Sequence, residues 1–244
     1  IILHAKSLEA REKWIEAFNV YQYGIDNFSN KIKNYNEILE AQYMVAKNEM
    51  NKKRMTYIFG GYNSPELAIP LFEIIIKNRP SWDGIPQILM MIGNCYKDIK
   101  KYEEAIVSYK KLYHQFSSNA LCKDAMYQHI VCLKKLSVKY PISNEIQKRL
   151  LTTTTLYLSK FSSSEEIKDI INLRNKIYES QAKKIFEQGQ FYERIPKDEY
   201  AAILTYKNMI ESFPLSQLVS NAQFRIEYLE GKKSKSSTII NSEF

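Results

Sequence analysis

The chain has 244 residues, with 35 lysines and arginines against 27 aspartates and glutamates, so its formal net charge is +8. Its 45% apolar and 25% charged residues are typical of a folded globular protein and exclude wholesale disorder. Seven glycines and seven prolines are too few for a β-sandwich or β-barrel. No run of about 18 apolar residues is present to span a bilayer.

A short pattern recurs along the chain in which an alanine is followed four positions later by an aromatic residue. Each copy closes on an aromatic residue with serine, or on a proline, and each predicts the second helix of a pair. A degenerate fifth copy covers 150–162. The alanines are Ala17, Ala68, Ala105 and Ala202, and the aromatic residues are Tyr21, Phe72, Tyr109 and Tyr206.

Each copy follows another segment with helical periodicity. In the segment 87–97, Gly93 is the small residue against which we expect the next helix to pack closely. Gly93 precedes Ala105 by 12 residues, as Ala5 precedes Ala17. The sequence therefore predicts a first helix before every copy, beginning near the first residue.

This arrangement resembles the tetratricopeptide repeat, a pair of antiparallel helices of about 34 residues. The resemblance implies an all-α fold, an α-solenoid of about five helix pairs in which stacked neighbours share one core. Because the copies are not spaced at multiples of the repeat length, we expect longer helices or inserted loops at 30–36, 50–63 and 191–199. The predicted organisation is a superhelix over 1–230, with possible N-terminal repeats 1–118 and C-terminal repeats 119–230, and a flexible tail over 231–244.

Residues able to carry chemistry are sparse. We expect Cys95, Cys122 and Cys132 to be small buried side chains, and a Cys122–Cys132 disulfide is the alternative. His129 and Cys132 could share a metal ion, but two further ligands are not evident, so a core or groove histidine is favoured. No glycine-rich phosphate loop, His-Glu-x-x-His motif or paired Cys-x-x-Cys motif is present. We therefore expect no catalytic residue, no metal and no cofactor, and hence no enzyme.

The first helices of stacked pairs would line a concave groove, which is the default binding surface of such folds. Amide, thioether, aromatic and lysine side chains together suit an extended peptide. The alternative is that these side chains only face solvent. The candidate groove residues are Tyr43, Lys47, Met50, Gln87, Met90, Asn94, Lys97 and Tyr127.

The positive charge raises the question of a nucleic-acid partner. Helical repeats that read RNA need stacking groups repeated at fixed positions, and the sequence shows no such code. We therefore expect no nucleic-acid partner. A basic solvated surface, or attraction to acidic partners or anionic headgroups, accounts for the charge.

Five copies with these closing residues resemble the BamD family, outer-membrane lipoproteins of the β-barrel assembly machinery. The closest stretch is 173–229, with a long helical segment ending at Gly189, then Ala201 to Tyr206, then Phe213-Pro214-Leu215-Ser216. The segment 190–199 departs from the family pattern as an apparent insertion.

The resemblance implies a non-enzymatic adaptor on the periplasmic face of the outer membrane, anchored through a lipid-bearing cysteine upstream of Ile1. Its N-terminal repeats would receive unfolded outer-membrane proteins, and its C-terminal repeats would hold the barrel-forming subunit. No individual residue role is transferred from the family. The alternative is a soluble tetratricopeptide scaffold, cytoplasmic or periplasmic, that binds another protein's peptide tail.

Overall fold

A computed structural model of the protein describes residues 1–56, 60–163 and 165–240. The described residues are predominantly helical, which confirms the all-α prediction. The chain divides into two compact units, Ile1–Ser143 and Asn144–Phe244. The boundary between the two compact units follows Ser143. The division into repeats 1–118 and 119–230 stays a prediction.

The first unit contains seven α-helices among its described residues, and consecutive helices pack on one another. Its core brings together α1 to α5, with Phe18, Leu39 and Phe72 fully buried. The helices are α1 (Ile2–Glu9), α2 (Trp14–Phe28), α3 (Tyr35–Asn51), α4 (Ile69–Asn78), α5 (Ile85–Asp98), α6 (Tyr102–Gln115) and α7 (Cys122–Lys139).

A β-hairpin lies between α3 and α4, in the segment where the sequence predicts an insertion. Strand β1 (Lys53–Thr56) pairs antiparallel with β2 (Gly60–Asn63), with Lys53 opposite Asn63. A single 3₁₀ turn, Pro65–Ala68, then leads into α4. The inserted segment therefore keeps the ends of α3 and α4 close together, since paired strands return the chain to its starting point.

The second unit contains α8 (Asn144–Lys160), α9 (Ile167–Arg194), α10 (Glu199–Ser212) and α11 (Val219–Ile240). Four consecutive threonines inside α8 remain helical. Their hydroxyls are satisfied locally, since Thr153 Oγ1 donates to Arg149 O and Thr154 Oγ1 to Leu150 O, each at 2.8 Å. The backbone of α11 is helical to Ile240, and residues 241–244 lie outside the described residues. The flexible tail over 231–244 stays a prediction.

One close contact recurs in both units. A Cβ atom added at Gly93 in α5 would overlap the ring of Tyr109 in α6, and one added at Gly189 in α9 would overlap the ring of Tyr206 in α10. Both tyrosines are fully buried. The close packing predicted at Gly93 is therefore confirmed, and Gly189 shows the same contact.

The turns that join these helix pairs also share a backbone feature. Glu12, Lys100 and Lys197 have positive φ angles of 54°, 62° and 53°, and they connect α1 to α2, α5 to α6 and α9 to α10. In each turn the amide of the following residue donates to a carbonyl in the last turn of the first helix. This is the usual left-handed helix end, but with a side chain where glycine is preferred.

Candidate functional site

A cavity of about 600 Å³ in the first unit is lined by residues of α3, α5 and α7. Four of the eight predicted groove residues line it together: Met50 from the end of α3, and Met90, Asn94 and Lys97 from successive turns of α5. Positions 90, 94 and 97 are spaced by four and three, so they lie on one helix face. We call this space the methionine cavity.

The apolar wall of the methionine cavity consists of Met50, Met90, Met91 and Pro65. These four side chains are half-buried, so they are held by the core and still reach the cavity. Thioether side chains adapt to differently shaped apolar partners because they are unbranched and polarisable. This wall can therefore accept apolar side chains of varied shape.

The polar part of the lining is fixed by hydrogen bonds. Lys97 Nζ donates to Gln128 Oε1 of α7 at 2.9 Å, and Tyr109 Oη donates to Asn94 Oδ1 at 2.7 Å. Because Asn94 accepts at Oδ1, its Nδ2 group is the one that can donate to a bound carbonyl oxygen. Asp98 lines the same cavity and balances the charge of Lys97. The polar wall therefore suits amides better than a bare anion.

The position of Asn94 is set by the fold. Gly93 lets Tyr109 of α6 approach α5, and the tyrosine hydroxyl then reaches the next residue along α5. Burial raises the pKa of Tyr109 far above its usual value, so the hydroxyl stays protonated and remains a donor. The contact between Gly93 and Tyr109 therefore also positions Asn94 at the cavity.

The other four predicted groove residues lie elsewhere. Tyr43 packs on the core, with its ring centroid 5.8 Å from that of Trp82 and 6.5 Å from that of Phe72. Lys47 and Tyr127 are half-buried and Gln87 is exposed, but none of them lines the methionine cavity.

The predicted register on α7 misses its cavity-lining residue by one position. The residue of α7 at the cavity is Gln128, which follows Ala125 by three positions and precedes Cys132 by four. Both flanking residues are fully buried, so this spacing is the signal that identifies the inner face of α7.

The cysteines and His129 belong to the core. Within the described residues all three cysteines are buried thiols, as predicted, and none is in a disulfide. Burial raises the pKa of Cys95 to about 12 and that of Cys132 to about 11, which keeps both thiols protonated at neutral pH. His129 Nδ1 shares a hydrogen bond of 3.0 Å with Tyr113 Oη, and its ring stacks on that tyrosine.

Residues 1–56, 60–163 and 165–240 contain no group of three or more His, Cys, Asp or Glu side chains arranged to hold a metal ion. In the same part of the chain, no helix is both long enough and apolar enough to cross a membrane.

Comparison with known proteins gives no assignment. No family model matches the chain. No curated protein matches it either. The function must therefore be argued from the residues and their geometry.

Proposed function

We propose that the protein is a non-enzymatic adaptor that holds an extended segment of another polypeptide in the methionine cavity. The observation that carries this proposal is the pairing of an adaptable apolar wall with a fixed row of amide and ammonium groups. An extended peptide presents both features at once, since its side chains alternate in direction while its backbone offers carbonyl and amide groups.

The apolar and polar parts of the lining would bind different parts of the peptide. Met50, Met90 and Met91 would receive an apolar side chain, whereas Asn94 and Gln128 would bond the backbone and Lys97 a backbone carbonyl oxygen. Half-buried side chains give modest, releasable affinity because little rigid area is buried per contact. Such contacts suit a protein that passes its ligand on.

The binding test uses a fluorescently labelled peptide with alternating apolar and polar residues, measured by fluorescence polarisation. Its matched control peptide has the same composition with the apolar residues clustered. We expect Lys97→Ala and Met90→Ala each to weaken binding of the alternating peptide by about tenfold, as for a central interface contact. Lys110→Ala removes an exposed lysine of α6 and should change affinity by less than about twofold.

Equal binding of the two peptides would contradict recognition of an extended strand. Unchanged affinity in both cavity variants would contradict the cavity as the site, whatever the peptide preference. Circular dichroism of each variant shows whether a loss of binding comes from unfolding.

For the biological setting we propose the barrel-assembly role at the periplasmic face of the outer membrane, through a lipid anchor upstream of Ile1. The support is the pattern shared with the BamD family over 173–229, together with a cavity suited to the extended strands of unfolded outer-membrane proteins. We expect affinity purification from detergent-solubilised membranes to recover a barrel-forming subunit. Recovery of a soluble partner alone would favour the alternative, a soluble scaffold that binds a peptide tail.

A further inference from the structure

A second cavity, of about 920 Å³, lies in the first unit among α1, α2 and the start of α3. It shares no lining residue with the methionine cavity. Its size falls within the range of about 300–1,000 Å³ that is typical of small-molecule sites. We call it the lysine-rimmed cavity because Lys6, Lys31 and Lys33 line it.

The walls of the lysine-rimmed cavity are mainly apolar. Ile2 and Leu3 of α1 line it together with Phe28, Ile32 and Ile38. The exposed fractions of Ile2 and Leu3 are 48% and 84%, so both carry exposed apolar surface. Uncovered apolar surface of this kind favours an apolar ligand by removing that surface from water.

Gly24 lines the cavity and packs closely on Ile1, which also lines it. A Cβ atom added at Gly24 would lie 3.1 Å from Ile1 Cγ2, which is closer than ordinary contact. A larger residue at position 24 would therefore push against Ile1.

The uncharged polar groups of the lining already have partners. Tyr21 Oη donates to Glu9 Oε1 at 2.6 Å, and Asn34 Nδ2 donates to Glu37 Oε1 at 2.7 Å. A peptide backbone would need several unused donors and acceptors along its length, and these side chains do not supply them. The lining therefore favours an apolar chain over a polypeptide.

The charge of the lining is positive. Three lysines stand against one glutamate, Glu37, so the lining carries a net charge of 3 − 1 = +2. All three lysines are exposed, and Lys31 Nζ lies 5.8 Å from the centroid of the Phe28 ring. A cation thus lies directly beside the apolar wall.

We propose that the lysine-rimmed cavity binds a single-chain anionic amphiphile, with its acyl chain against the apolar wall and its carboxylate near Lys31 and Lys33. The site complements such a ligand in two ways. Its apolar surface suits the acyl chain, and its positive charge suits the carboxylate. This site is independent of the peptide-binding role of the methionine cavity.

The test compares amphiphiles with alkyl chains of nearly equal length and opposite head charge. Sodium dodecanoate and dodecyltrimethylammonium are titrated separately into the protein by isothermal calorimetry, each below its micelle concentration. We expect one dodecanoate site and at least about tenfold weaker binding of the cationic amphiphile. Octanoate should also bind at least about tenfold more weakly than dodecanoate, because its shorter chain buries less apolar surface.

A matched pair of double variants locates the site. Lys31→Gln with Lys33→Gln should raise the dodecanoate dissociation constant by about tenfold at low salt. Lys110→Gln with Lys111→Gln removes two exposed lysines of α6 and should change it by less than about twofold.

Equal affinity for both head charges, an equal effect of the two double variants, or titration without saturation at one site would each overturn the proposal. Circular dichroism confirms that the exposed substitutions leave the fold intact. None of these outcomes bears on the labelled-peptide test, so the two sites can fail separately.

Discussion

The helix pairs α5/α6 and α9/α10 share the same packing contact, but the tyrosine hydroxyl bonds to a different kind of acceptor in each pair. In both, a glycine of the first helix lies under a fully buried tyrosine of the second. Tyr109 Oη then donates to the neutral amide of Asn94 at 2.7 Å, whereas Tyr206 Oη donates to the carboxylate of Glu193 at 3.0 Å. The packing requirement fixes the glycine and the ring, but it leaves the acceptor of the hydroxyl open to change.

The two acceptors serve different ends. Asn94 lines the methionine cavity, where its amide can also meet a ligand. Glu193 instead forms an ion pair with Arg225 of α11, so the same tyrosine hydroxyl belongs to a network that attaches the last helix of its unit. The comparison shows how a repeated contact can lie beside a cavity in one unit and join an ion pair in the other.

Alkaline pH should produce the largest difference between the units. Burial raises the pKa of Cys95 to about 12 and of Cys132 to about 11, and both lie in the first unit. Burial also raises the pKa of Tyr109 and Tyr113 there, and that of Tyr206 in the second unit. A raised folded pKa gives stability that is complete below the unfolded pKa and is lost as pH rises. The first unit should therefore weaken from about pH 9, the usual value for a thiol.

Two optical probes can separate the units. Both tryptophans, Trp14 and Trp82, lie in the first unit, whereas far-ultraviolet circular dichroism reports helices of both. In urea titrations between pH 8 and 11, the midpoint from the tryptophan emission maximum should fall more steeply with pH than the dichroism midpoint. In Cys95→Ala with Cys132→Ala the fall should begin nearer pH 10, where tyrosines ionise. Parallel falls of both midpoints would contradict the assigned asymmetry.

Filling the shared contact is the next largest perturbation. Gly93→Ala and Gly189→Ala should each destabilise the protein by about 2 kcal/mol, because overpacking outweighs the gain in helix propensity. Gly231→Ala is the matched control, since a Cβ added there meets no atom within 4 Å. It should stabilise by up to about 1 kcal/mol.

The tryptophan probe again distinguishes the two pairs. Gly93→Ala should lower the urea midpoint reported by tryptophan emission, whereas Gly189→Ala should lower the dichroism midpoint and leave the emission midpoint in place. A stabilising effect of alanine at either contact would mean that the tyrosine ring can move aside, and the packing argument would then fail.

These comparisons also show which features the sequence can predict. The spacing of Gly93, Ala105 and Tyr109 predicts both helices and their contact, because helical periodicity and residue size are local properties. Three of the groove residues, Met90, Asn94 and Lys97, line one cavity for the same reason, since the face of α5 follows from its periodicity.

Other features depend on tertiary context that the sequence does not display. The insertion expected at 50–63 contains the hairpin β1–β2, whose strand pairing was not predicted. The left-handed residues Glu12, Lys100 and Lys197 stand where glycine would have signalled the helix ends. Tyr43 packs on the core because Trp82, distant in sequence, lies opposite it.

The smallest expected effect concerns the Glu193–Arg225 ion pair of the second unit. Glu193 and Arg225 keep 13% and 32% of their side-chain surface exposed, so their attraction is partly screened by solvent. A double-mutant cycle with Glu193→Gln and Arg225→Gln should give a coupling free energy of about 1 kcal/mol at low salt. Glutamine at position 193 keeps an acceptor for Tyr206 Oη, so the cycle isolates the charge from the hydrogen bond.

The salt dependence of the coupling free energy should differ between the two helix pairs. The Glu193–Arg225 coupling should shrink at about 1 M salt, where the screening length falls to about 3 Å. The same cycle with Asn94→Ala and Tyr109→Phe, whose partners are both neutral, should keep its coupling within about 0.3 kcal/mol over that range. If both couplings respond to salt alike, the acceptor of the tyrosine hydroxyl does not distinguish the units electrostatically, and Glu193 acts there through shape and hydrogen bonding as Asn94 does.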